Sequence, residues 1–388
     1  MRRLSVYFGV TCVLTLSMSV QAVTHERLDY LVSELKSDDE TRCSNAAIEL
    51  AEYGPEAKEA FPALIETVRS DEQNLYAGSV LQFLSSGISV DDILHLTNDN
   101  NSIVQSLAME CLKRHEIDKE KVLLIYSALL DHENPFVVWE AIEALCQIDA
   151  GKLCLDAALR LAKHEEPLIR ALAVSSIEGI GIANTQVKQV LRDSFSNPDK
   201  REAVKAALIY QNLYPEEKAG LELIRELMKD EDRNVRWHAV RAVGNLKNAD
   251  SQTLQLSREL LHDKDTMVIL NACYAMIRHD IETEQAWGVL NKSLESNEFT
   301  ELLAPLMVLY QLGSAAGNYQ EQLIKRVNDK DESVQLIAIS VLGEIQPSKE
   351  RALPVLENKL KMTQDFSVWR ITKRTILKIQ KSADGKRD

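Results

Sequence analysis

Four histidines stand directly before a glutamate, at His25, His115, His132 and His164, which is how the zinc-binding H-E-x-x-H helix begins. The second histidine is missing each time. Asp263-Lys264-Asp265 and Asp329-Lys330-Asp331 alternate like the start of an EF-hand loop, yet the glycine and closing glutamate are not at the required spacing. No G-x-S-x-G puts a serine on a hydrolase elbow. There is neither a phosphate-binding P-loop nor a dinucleotide glycine fingerprint. Of the 6 cysteines, Cys12 lies in an apolar leader. Cys43, Cys111, Cys146, Cys154 and Cys273 form no CxxC pair and no zinc pattern. Cys111, Cys146 and Cys273 sit in apolar helical patterns, where a thiol behaves as a small hydrophobe. An oxidising compartment could instead join Cys146 to Cys154 across one interhelical turn. The chain is therefore expected to be no enzyme, with no catalytic residue, no metal ligand and no cofactor.

The elements behind these residues explain the acidic pairs without metal. In Asp230–Leu246, Val235, Ala239, Ala242, Val243 and Leu246 recur at steps of three and four, a helix with one buried stripe. Asp232 stands where an N-cap is wanted. Leu221, Leu223, Ile224, Leu227 and Met228 mark a preceding helix, so the unit is helix, acidic turn, helix. Copies of the turn begin near Asp38, Asp71, Asp99, Glu133, Glu165, Asn197, Asp230, Asp263, Asn297, Asp329 and Asp365, a period close to 33 residues. A fixed period of this size belongs to a repeat array, since one helix pair cannot bury its own apolar face. Eleven pairs are expected, and capping accounts for Asp263 and Asp329.

Val235-Arg236-x-x-Ala239-x-x-Ala242 has a looser copy at Ile169-Arg170-x-x-x-Ala173, and Gly54-Pro55-Glu56-Ala57 leads into Phe61-Pro62-Ala63-Leu64-Ile65. These resemble the short HEAT-like repeats of phycobilisome lyases, over roughly Leu28–Ile379. The resemblance implies an all-α, right-handed solenoid of about eleven antiparallel helix pairs, a HEAT/armadillo-like superhelix whose second helices line a concave face. Val235–Leu246, His262–Ile277, Glu295–Leu312 and Val334–Ile345 are also similar to the HEAT-like extension of some secreted bacterial sulfatases. No mature cysteine has the context of a sulfatase centre.

Met1-Arg2-Arg3, the apolar Leu4–Val20 and Val20-Gln21-Ala22 read as a signal peptide cut between Ala22 and Val23. An uncleaved anchor is the alternative, although the run is short for a span of about 20 residues. The expected organisation is residues 1–22 as leader, 23–380 as one elongated repeat domain and 381–388 as a disordered basic tail. The protein would then be periplasmic or extracellular, in a bacterial envelope, with no stable membrane span after cleavage. Formal charge is −14, which disfavours nucleic acid. From Lys359 onward, nine basic residues face Asp365, Asp384 and Asp388. That end is expected to form a polar cap on the last repeat; docking to acidic lipid or a partner is the alternative.

If the Val235 stripe faces the core, then Trp237, Arg241 and Gly244 lie opposite it. Trp139 holds the same offset from Val137 as Trp237 does from Val235. Trp139, Trp237 and Arg241 are thus candidate anchors for a protein or extended polymer; packing between helices is the alternative for the tryptophans. Three function classes follow. The first is a binding scaffold, the second an accessory module of a sulfatase-like hydrolase. The third, a bilin-lyase-like role, is disfavoured by the leader.

Overall fold

The structure, a computed structural model, describes residues 24–381 apart from 72–73, 114, 116 and 297. The cleavage site at Ala22 and Val23, the turn residue Asn297 and residues 382–388 lie outside the described residues. No β-strand occurs among the described residues.

The described residues form eleven helix pairs. The first three are α1 (His25–Glu34) with α2 (Glu40–Tyr53), α3 (Phe61–Ser70) with α4 (Leu75–Leu84), and α5 (Val90–Leu96) with α6 (Ser102–Leu112). Next come α7 (Lys119–Ala128) with α8 (Pro135–Gln147), α9 (Leu155–Leu161) with α10 (Pro167–Ile180), and α11 (Thr185–Asp193) with α12 (Lys200–Leu213). The middle of the array is α13 (Ala219–Leu227) with α14 (Arg233–Gly244) and α15 (Ser251–Glu259) with α16 (Thr266–Arg278). It ends with α17 (Thr283–Ser293) and α18 (Phe299–Leu312), α19 (Gln320–Arg326) and α20 (Glu332–Glu344), and α21 (Lys349–Met362) and α22 (Phe366–Lys381).

Local chemistry starts each second helix. Asp39, Asn74, Asn101, Asn134, Asp199, Asp232, Asp265, Asp331 and Asp365 each accept from an amide of the first turn. Such caps satisfy amides that lack an intrahelical partner. Glu166 and Glu298 hold the cap position without this bond. Two residues upstream a second carboxylate holds the cap itself: Asp230, Asp263 and Asp329 accept from the amides of Asp232, Asp265 and Asp331 at 2.9, 2.9 and 3.1 Å. The acidic pairs are occupied in building turns.

Four residues after the cap, a long donor reaches back to the carbonyl that opens its own turn. Gln105 binds Asp99 O at 2.7 Å, Arg170 binds His164 O at 2.9 Å, Arg236 binds Asp230 O at 2.9 Å and Gln335 binds Asp329 O at 2.6 Å. The Cys43 thiol does the same to Ser37 O. This is the structural meaning of the Val-Arg pattern. Arg236, only 6% exposed, also grips both oxygens of Asp263 in the next repeat, at 2.9 and 3.0 Å. Burial alone would raise the Asp263 carboxyl; the Arg236 bonds and the Asp265 amide hold it below the usual carboxylate range.

Neighbouring second helices pack side by side from α2 to α22, whereas first helices pack mainly on their own partners. Elements crowd on the inside of a bend and spread on the outside, so the second helices form the inner layer. The array expected to be elongated bends far enough for its last repeat to return to the first two. α22 turns Val368, Ile376 and Ile379 toward α20, and Phe366 and Trp369 into the core shared by the first six pairs. The Trp369 ring meets Phe83 edge-on at 5.5 Å, and Phe366 meets Tyr76 at 5.9 Å. The Ser44 hydroxyl donates to Gln364 O and accepts from the Phe366 amide, both at 2.7 Å. Arg370 donates to Ser79 Oγ at 3.2 Å. The last repeat is therefore packed against the first two, because α22 carries two apolar faces, and the inner layer closes on itself.

Candidate interaction surface on the second helices

The face of a second helix turned away from its partner lies between its neighbours and the interior of the ring. Lys205 and His238 share one register there, six residues after their caps Asp199 and Asp232. Arg201, Lys205 and His238 line two adjoining clefts. One, of about 290 Å³, is completed by Arg170, Val174 and Ser175 of α10. The other, of about 200 Å³, is completed by Leu208, Arg241 and Asn245. Arg170, Arg201, Lys205, His238 and Arg241 thus converge, with Asp199 and Glu202 also lining the first cleft, on a chain whose formal charge is −14.

Most of these groups are held in place by neighbours. Arg201 grips Asp199, with its shortest bond at 2.6 Å. Lys205 pairs with Glu178 at 3.0 Å, both partly exposed and so weakly coupled. Arg170 donates to the carbonyls of His164 and Glu165. Arg241 has no ion-pair partner among the described residues. His238 donates from Nδ1 to Asn234 O at 2.6 Å, leaving Nε2 as the free nitrogen of the neutral ring. Burial lowers its pKa, the Asn234 carbonyl opposes that, and the charges of Arg241 and Arg201 lower it further.

The Trp237 ring stacks on His238, with centroids 3.5 Å apart and planes at 30°. Trp237 is half-buried against the core of the middle repeats. Trp139 is half-buried against the first core, and its Nε1 is buried without a hydrogen-bond partner. Trp237, His238 and Arg241 share α14; Trp139 sits on α8, with α10 and α12 between, so the two rings are not brought together. Gly244, expected on the open face, is buried instead. A Cβ there would overlap the Tyr274 ring, because side-by-side packing of α14 and α16 covers a third face of the helix. Sequence reasoning passed over Arg201, Lys205 and His238. Counting from the cap rather than from the core stripe aligns Lys205 with His238 and exposes the pattern.

Chemically this surface offers positive charge and hydrogen-bond donors. Its hydroxyls beside the cations, Ser175 and Ser194, are bonded to Ala171 O and Val190 O. Among the described residues no three His, Cys, Asp or Glu groups are placed to hold a metal ion. No helix there is long and apolar enough to cross a membrane.

Among curated proteins no sequence match is found. Similar solved structures include YibA of E. coli, 17% identical, with 77% of this chain and 95% of that one covered at a TM-score of 0.37. Kap95p, from a complex with RanGDP, is 14% identical at a TM-score of 0.37, with 93% of this chain covered. Kap121p is 13% identical at a TM-score of 0.37, with 91% of this chain covered. The chain spans 52% of the Kap95p length and 44% of Kap121p. Residues 220–309 match the family of HEAT repeats. The same helix-pair unit runs on both sides of that stretch, so the matched repeats belong to a continuous all-α solenoid.

Proposed function

We propose that the protein is a non-catalytic scaffold that holds an acidic segment of a partner protein against the inner faces of α12 and α14. The observation behind this reading is Arg241, a guanidinium with no ion-pair partner among the described residues, lining a cleft with Arg201, Lys205 and His238. An unpaired cation beside other cations is an unfavourable arrangement that an incoming carboxylate relieves. Trp237 supplies an apolar flank, as aromatic and arginine anchors do at protein interfaces. Export rests on the Arg2-Arg3 leader and the Val20-Gln21-Ala22 site, and a mature N-terminus at Val23 on sequencing checks it. In that reading the scaffold works in the periplasm or outside the cell.

The binding test is fluorescence anisotropy of a labelled oligoglutamate peptide with the full-length protein. Arg241→Ala is expected to weaken binding about tenfold, the range of one charge-assisted hydrogen bond. Added salt should weaken binding further. Unchanged affinity in Arg241→Ala overturns the reading. Equal binding of a single-stranded DNA oligonucleotide would show a surface for any polyanion rather than for an acidic polypeptide.

A further inference from the structure

The corner between α8 and α9 holds two thiols. α8 ends in a tight reversal: the Ala150 amide returns to Leu145 O at 2.9 Å and the Asp149 amide to Cys146 O at 3.2 Å, with Asp149 at φ 60°. The chain then makes a short 3-10 turn, Gly151–Cys154. This brings Gly151 beside Cys146, so that a Cβ on the glycine would sit 3.5 Å from Cys146 Sγ and 3.2 Å from Ile180 Cα. The turn packs back on the end of α8, so that Cys154 lies near enough for each thiol to shift the ionisation of the other. Cys146 is half-buried, while Cys154 is 0% exposed.

We infer that Cys146 and Cys154 are an oxidisable pair that closes into an intrachain disulfide, with Cys146 the thiol that meets a small-molecule disulfide. Cys146 is suited to this because it is the more exposed of the two, within reach of a small molecule, and the neighbouring Cys154 lowers its pKa. A thiolate is the attacking species in exchange. In the first step Cys146 Sγ bonds to one sulfur of glutathione disulfide; that S–S bond breaks and glutathione leaves as a thiolate. In the second step Cys154 gives up its proton and attacks Cys146 Sγ, displacing the second glutathione. Two protein thiols are oxidised and one glutathione disulfide is reduced to two glutathiones. The remaining described cysteines differ: Cys43, Cys111 and Cys273 are buried, and burial pushes Cys273 up to about 12.

The test treats the folded full-length chain with glutathione disulfide, then unfolds it, alkylates and maps peptides. Loss of alkylation at Cys146 and Cys154 together, with a linked peptide lighter by two hydrogens, is the expected result. Cys154→Ala should stop at a stable glutathione adduct on Cys146, and Cys146→Ser should leave every described thiol unreacted. A lasting adduct on wild-type Cys146 would show that Cys154 cannot reach it and overturn the inference. So would a link to another cysteine, a link between two molecules, or no reaction at either thiol.

Discussion

Trp369 decides whether the two ends of the chain share a core. Its side chain is 1% exposed and reaches Phe83 of α4 across the seam. A tryptophan buries about 200 Å², which at about 25 cal/mol per Å² is worth about 5 kcal/mol. Trp→Ala changes in cores typically cost about 3–5 kcal/mol. Trp369→Ala leaves Val368, Ile376 and Ile379 against α20, so α22 should stay attached on that side while the seam loosens. Hydrogen exchange followed by mass spectrometry is expected to rise in α22 and also in α2 and α4, more than 280 residues away in sequence. Exchange in α12–α16 should change little, since repeats feel mainly their neighbours. Small-angle scattering should show a larger radius of gyration as the seam parts. If exchange rises only in α20–α22 while α2 and α4 stay protected, the ends do not support each other and the closure argument fails. Trp369→Phe is a useful companion, because the indole N–H is buried without a partner and its removal offsets part of the lost packing.

Arg236→Ala strips both oxygens of Asp263 and two turn carbonyls of their donor, and should cost about 3–5 kcal/mol at pH 7 as a broken buried pair. Because the folded Asp263 pKa is lowered, its contribution is present above the unfolded value and lost as pH falls through the folded one. The gap between wild type and variant in denaturant melts should therefore narrow with acid. Joint substitution of Trp139 and Trp237 by Ala separates anchoring from packing: anchors would weaken oligoglutamate binding with little change in melting midpoint, whereas packed rings would lower the midpoint by several degrees. Asp149 sits at positive φ, where Gly is unstrained. Asp149→Gly should be neutral or stabilising, and Asp149→Val destabilising by about 1–2 kcal/mol, measured by urea midpoints.

What could be read from residue order follows from the range of the interactions involved. Asp232 as a cap, and the Val235–Leu246 stripe, depend on atoms within one or two turns, so they show directly in the spacing. Eleven helix pairs followed from the recurrence of that local signal. Curvature did not, since it sums small rotations between neighbours, each set by which side chains interdigitate. Trp369 looks like any core tryptophan of a last helix; only the arrival of Phe83 from near the other end reveals its role. The same holds for Gly244, whose burial is decided by Tyr274 one repeat later. Lys205 and His238 were legible in principle, because their shared offset from a cap needs no tertiary knowledge. Which charges remain unpaired was not legible: Arg241 differs from Arg201 and Lys205 in having no ion-pair carboxylate among the described residues.

The seam between α22 and the first two repeats sets an arithmetic on the array. Eleven steps share one full turn, roughly 33° each. An open solenoid tolerates one pair more or fewer, since each added unit simply extends the end. Here one pair fewer leaves a wedge-shaped gap that Trp369 and Ser44 cannot span, and one pair more drives the ends into the same space. Repeat number, normally the freest variable of such proteins, is locked by a hydroxyl and an indole. The same lock covers the facing flanks of α2 and α22, on which a second molecule would otherwise continue the inner layer.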